Sequence, residues 1–170
     1  MRFAIPTPAT SAVEIGPLTI HFYALCIIAG VALAIWLGNR RFTRAHDGVE
    51  GVVADVAIFA VPIGVIGGRI YHVLTSPQQY FGNAANFFDI FKIWNGGLGI
   101  WGAIAFGTFG AYLSYKRISK EKSLPPFSVF AGALAPGLAL AQAIGRWGNW
   151  FNGELFGKPL DASWALSIPA

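Results

Sequence analysis

Four long stretches almost free of charge constrain this chain more than any other feature: residues 18–38 ("LTIHFYALCIIAGVALAIWLG"), 52–74 ("VVADVAIFAVPIGVIGGRIYHVL"), 98–115 ("LGIWGAIAFGTFGAYLSY") and 127–144 ("FSVFAGALAPGLALAQAI"). A helix needs roughly 20 apolar residues to cross the hydrocarbon of a bilayer, and each block is near that length. Only 12% of the 170 residues are charged, whereas 55% are hydrophobic. A soluble domain carries about 25% charged residues, so half the usual solvating surface is missing. The expected fold is therefore all-α: a polytopic membrane protein with about four transmembrane helices, forming one membrane domain over residues 1–170. Pro62 marks the expected kink point of the second span by the ordinary rule for helix-interior proline.

The formal charge of +4 does not point to nucleic acid, because no soluble basic face exists to receive it. Most basic residues lie in short loops between the apolar blocks, which makes anionic membrane lipid the better partner. Cys26 is the only cysteine, so neither an internal disulfide nor a cysteine-built metal site can form. Leu25, which precedes it, is too large for a lipoprotein cleavage box, and the apolar run continues to Leu37. The first block thus reads as an uncleaved span.

Loop charge gives an orientation. Arg40, Arg41 and Arg44 follow the first span, and Lys116, Arg117, Lys120 and Lys122 follow the third, while Lys92 alone lies between the second and third. By the positive-inside rule the first two clusters face the cytoplasm and the N-terminus lies outside. The aromatic segment between the second and third spans reads as an interfacial amphipathic stretch. Gly99, Ala103, Gly107 and Ala111 recur at four-residue steps in the third span, a stripe along which another helix can approach closely.

Orientation brings the polar residues of four stretches to one depth. His21 and Tyr23 sit near the outer end of span one, and Arg69, Tyr71 and His72 near that of span two. Trp94, Asn95, Gly96, Gly97 and Trp101 open span three, and "GRWGNWFNGELFG", residues 145–157, leaves span four as an outer loop. Taken singly, each has a bland reading: Arg69 can snorkel to headgroups, Tyr23 and Trp94 can be belt residues, and Glu154 can pair with Arg146 or Lys158. Together, Arg146, Asn149, Asn152 and Glu154 suit a lipid phosphate. Arginine offers a planar fork of donors, the asparagines neutral donors and acceptors, and the glycines a close backbone approach.

These residues resemble the signature of the bacterial prolipoprotein diacylglyceryl transferases, Gly-Arg-x-Gly-Asn-x-x-Asn-Gly-Glu. Gly145, Arg146, Gly148, Asn149, Asn152, Gly153 and Glu154 match it position by position. "HFYAL" with Tyr23, "GGRIYHVL" with Arg69 and "IWNGGLGIWGAI" resemble the family's first three spans in the same order. The resemblance implies transfer of the diacylglyceryl group of phosphatidylglycerol to the lipobox cysteine of a lipoprotein precursor. It also implies an active site on the outer face of the bacterial plasma (inner) membrane, with no metal and no soluble cofactor. Arg146, Glu154 and Tyr23 would be catalytic; Arg146 would hold the phosphate, with Arg69, Asn149, Asn152 and Gly153 also binding substrate.

Two features depart from the family. Trp101 stands where many members carry a histidine, so the thiol base is left among Tyr23, Glu154 and groups beyond residue 170. Members also continue through further spans to a second functional arginine, so the chain is expected to be an N-terminal portion. Two other classes remain alongside the enzyme: a non-catalytic scaffold and, less in keeping with polar groups near one edge, an anion or lipid transporter.

Overall fold

The computed structural model describes residues 5–8, 10–16, 18–45, 49–81, 86–93, 96–153, 157–162 and 164–167. The long elements are helices: α1 Phe22–Ala45, α2 Val52–Thr75, a short α3 Gln78–Phe81, α4 Ile100–Ile118 and α5 Phe127–Asn152. A 3-10 helix, Phe87–Phe91, lies between α3 and α4. Four short strands accompany them: β1 Ile5–Pro6 pairs in parallel with β4 Leu166–Ser167, and β2 Ala12–Ile15 pairs antiparallel with β3 Leu18–His21. Two compact units result, residues 1–41 with 132–170, and residues 42–131.

The expected first span therefore starts late. Residues 18–21 belong to a hairpin in which Ala12 faces His21 and Ile15 faces Leu18. Gly16, at φ 61, takes the left-handed conformation that the tight connection needs. The Phe22 amide donates to the Ser11 carbonyl, and helix begins there. It then runs past the expected end at Gly38, through the arginines, to Ala45.

Among the described residues, α1, α2 and α5 are long and apolar enough to cross a membrane. The expectation of about four is corrected to three. Glycines, hydroxyls and tyrosines dilute the apolar content of α4, and Lys116 and Arg117 occupy its last turn. Large apolar side chains cover the outer faces of the long helices, with Leu74 at 74% and Ile58 at 67% exposed. A helix apolar on its unpartnered side is at home in lipid, where intrahelical bonds satisfy its backbone. The chain is a helical membrane protein.

Unit 42–131 is organised by glycine. Helices α2 and α4 run antiparallel, and a Cβ added at Gly67 would overlap Phe106, while one at Gly102 would overlap the Gly67 carbonyl and Tyr71. Gly64 and Gly68 meet Ala103, and Gly110 meets Ile63. The Gly99 amide donates to the Gly68 carbonyl at 2.8 Å, closing the end of the crossing. The expected stripe of Gly99, Ala103 and Gly107 does lie at this contact, with Gly102 and Gly110 beside it. At the other end, Phe42, Tyr115, Phe127 and Phe130 form an aromatic cluster, with Tyr115 and Phe130 centroids 4.6 Å apart. The Tyr115 hydroxyl donates to the Pro125 carbonyl at 2.7 Å and ties down the basic loop between α4 and α5.

Candidate active site

In the unit formed by residues 1–41 and 132–170, α1 and α5 approach antiparallel through small residues. Gly137 lies against Ala34, Gly30 against Ala141, and Gly148 against Tyr23. Successive contacts are four and seven residues apart on both helices, so one register runs along the pair. A Cβ at Gly148 would sit 2.8 Å from Tyr23 Cδ2 and 3.4 Å from Cys26 Cβ. The signature glycine is thus what lets the Tyr23 ring lie on the α5 backbone. Phe22 and Phe151 add a ring contact with centroids 5.0 Å apart.

Residues 145–152, expected in an outer loop, instead form about the last two turns of α5. Gly145 and Gly148 cost helix propensity, but in lipid an unwound backbone has no water to bond, so the helix persists. It ends at Gly153, whose φ of 63 suits a left-handed turn beyond a helix. At 100° per residue, Arg146, Asn149 and Asn152 fall within about a third of the helix circumference, beside the arc held by Gly148. Arg146 is exposed and carries no hydrogen bond or ion pair among the described residues. Asn149 is half-buried and Asn152 is exposed. The Trp150 indole N–H is buried without an acceptor among the described residues, a donor that sequence reasoning did not single out. Glu154, expected to be catalytic, lies outside the described residues, as do Trp94 and Asn95.

Tyr23, Arg146, Asn149, Asn152 and Gly153 therefore belong to one unit, with Tyr23 held on Gly148. Arg69 belongs to the other, where it is 7% exposed on α2. It was expected to help bind lipid, yet its guanidinium is directed at backbone. Nε donates to the Ile90 carbonyl at 2.8 Å, and Nη1 to those of Gly96 at 2.6 Å and Gly97 at 2.9 Å. Nη2 donates to the carbonyls of Asp89 and Lys92. The Tyr80 ring centroid lies 5.2 Å from its Cζ. His72, one turn along α2, is half-buried, and its Nε2 lies 3.3 Å from Gln79 Oε1. Trp101 is exposed at the start of α4.

Chemically, the last turns of α5 offer a cation without a partner among the described residues, with two amides along the same side of a membrane helix. Such a set can hold a phosphate ester and stabilise charge on a departing phosphate oxygen.

Comparison with known proteins places the chain in a family. A family model described as prolipoprotein diacylglyceryl transferase matches residues 10–170. The phosphatidylglycerol–prolipoprotein diacylglyceryl transferase of Streptomyces griseus is 56% identical over 164 residues, covering 96% of this chain and 49% of that protein. Those of Paenarthrobacter aurescens and Corynebacterium efficiens are each 53% identical, covering 98% and 97% of this chain and 50% and 49% of their own lengths. The chain thus spans about half the length of these curated relatives. With the match running through every helix and through the Arg146 signature, the chain belongs to the prolipoprotein diacylglyceryl transferase family.

Proposed function

We propose that, within a full-length protein, these residues form the headgroup end of an enzyme that transfers the diacylglyceryl group of phosphatidylglycerol to the cysteine thiol of a lipoprotein precursor's lipobox. The observation that carries this reading is Arg146, exposed and without a partner among the described residues, on the same signature turns of α5 whose Gly148 packs on Tyr23. The precursor's thiolate sulfur attacks the glyceryl carbon that bears the phosphate. A carbon–sulfur bond forms, the carbon–oxygen bond breaks, and its electron pair leaves on oxygen as glycerol phosphate.

Arg146 binds the phosphate of the lipid and neutralises the charge that grows on the leaving oxygen. Its positive field also favours the thiolate of a cysteine whose ordinary pKa is about 8.5. Asn149 and Asn152 bond the glycerol hydroxyls of the headgroup, Gly153 lets backbone approach it, and Tyr23 orients the reacting groups. Glu154, Tyr23 or a group of the full-length protein beyond residue 170 takes the thiol proton, since the indole of Trp101 accepts none. The site faces outward from the bacterial plasma membrane, where an exported precursor presents its lipobox.

The direct test is transfer of labelled phosphatidylglycerol to a lipobox peptide by residues 1–170 joined to the remaining half of the Streptomyces griseus relative. Thioether-linked product is expected, and none should form when the peptide's cysteine is replaced by serine. Transfer to water in place of the thiol would instead favour a phospholipase.

Two further outcomes are expected. A cysteine placed at Asn152 should react with an impermeant thiol reagent on intact cells, and one at Ser119 should not; both positions are exposed on the protein. The opposite pattern would invert the orientation. Gly148→Ala pushes a methyl to 2.8 Å from the Tyr23 ring, a contact that forces the ring or helix to shift. Transfer should fall about tenfold, on the order of 1.4 kcal/mol, while protein level and melting change little. Unaltered turnover would show that the Tyr23 position is not needed.

A further inference from the structure

We propose that Arg69 is a positioning residue, which holds the backbone of Asp89, Ile90, Lys92, Gly96 and Gly97 in place and does not touch the lipid headgroup. An arginine has five N–H donors and no acceptor. Here its three nitrogens make five contacts, all to backbone carbonyls, of Asp89, Ile90, Lys92, Gly96 and Gly97. Three of these come from the end of the 3-10 helix Phe87–Phe91 and the residue after it, where few carbonyls keep a backbone donor, although that of Asp89 also accepts the Lys92 amide at 3.2 Å. The other two belong to glycines at φ 82 and φ 78, conformations open to glycine at little cost. A lipid phosphate would have to displace five backbone carbonyls already bonded to the guanidinium, so the cation is spent inside the fold.

The held segment has a use for that rigidity. Phe91 and Ile93 are exposed on it, and Phe87 and Phe88 just before it, between the end of α2 and the start of α4. Immediately after it the Gly99 amide bonds the Gly68 carbonyl, one residue before Arg69 on α2. Arg69 thus sets where an aromatic ledge sits relative to the α2–α4 crossing.

Lys92 is the one Lys or Arg between Arg69 and Lys116, which gives a clean tryptic readout. In detergent-solubilised full-length protein, Arg69→Lys should speed cleavage after Lys92 at least tenfold. A lysine ammonium cannot span carbonyls arranged for a planar fork. Gly97→Ala should do the same, because its Cβ would lie 2.7 Å from Arg69 Nη1. Cleavage in the loop at Lys116–Lys122 should stay unchanged in both. The activity arm rests on the transferase reading: each variant should raise KM for phosphatidylglycerol severalfold more than it lowers kcat. The double variant should lose no more than the worse single one, since both break one contact set.

Multiplicative losses in the double variant, or lost transfer with unchanged cleavage at Lys92, would overturn the proposal and make Arg69 a lipid contact. Equal acceleration at Lys92 and at Lys116–Lys122 would also overturn it, by showing general loosening. If no variant or parent transfers lipid, the transferase reading fails while the tryptic result still decides the role of Arg69.

Discussion

Replacing Arg146 with alanine in a chain completed to the family's length is expected to lower diacylglyceryl transfer by about a hundred- to a thousandfold, or ~3–4 kcal/mol of transition-state stabilisation. The size follows from what the guanidinium lacks. It is exposed at the end of α5 with no partner among the described residues, so its removal breaks no contact among them and should not weaken their fold. The whole effect is then read in chemistry. Arg146→Lys keeps the charge but gives up the planar pair of N–H groups that can meet a phosphate with two parallel bonds. It should recover no more than about a tenth of the parental rate, a gap of on the order of 1.4 kcal/mol. The measurement is single-turnover transfer of labelled phosphatidylglycerol, with melting temperature taken beside it. Near-normal turnover by the lysine variant would mean that a diffuse positive field suffices.

The second large effect is on folding. Gly102→Val should destroy the α2–α4 pair, because a Cβ at this position overlaps the Gly67 carbonyl and the Tyr71 side chain at once. Overpacking a core ordinarily costs about 1–3 kcal/mol. Here the obstacle is partly backbone, which cannot rotate aside, so the cost should exceed about 3 kcal/mol and leave little folded protein in detergent. Gly132→Ala should act in the opposite sense. Nothing lies within 4 Å of its Cβ, and glycine in a helix costs up to about 1 kcal/mol relative to alanine. A melting temperature that falls in both variants would show that helix contacts beyond this crossing govern stability.

Much of this architecture could be read from residue order. Long charge-free blocks yield helices because lipid offers the backbone no other partner, and the glycine and alanine steps of the third block do face a neighbour. The boundaries were less legible for physical reasons. Thr19 and Ile20 suit a strand as well as the start of a span, and pairing with Val13 and Glu14 decides between them. The glycines of residues 145–153 suggest a loop, yet Gly148 is there for close contact with α1 rather than for a turn, and only Gly153 adopts positive φ. Arg69 was the hardest to read. Its partners are carbonyls, which every residue carries, so no side chain in the sequence betrays them. Arg146 was easier because its matching neighbours are side chains in a long, specific pattern.

The single register shared by α1 and α5 bears on how the protein meets membranes of different thickness. Sliding one helix past the other by a residue would drive Ala34, Ala141 and Tyr23 away from Gly137, Gly30 and Gly148 and into positions with side chains already in place. The pair must therefore answer hydrophobic mismatch by tilting as one body, at a cost of fractions of a kcal/mol per Å, because slippage would break every close approach together. Tyr23 and the signature turn keep their spacing as the bilayer thins or thickens, and only their depth changes. Acyl-chain length should then act on how the headgroup reaches Arg146, leaving the internal geometry of the site as it is.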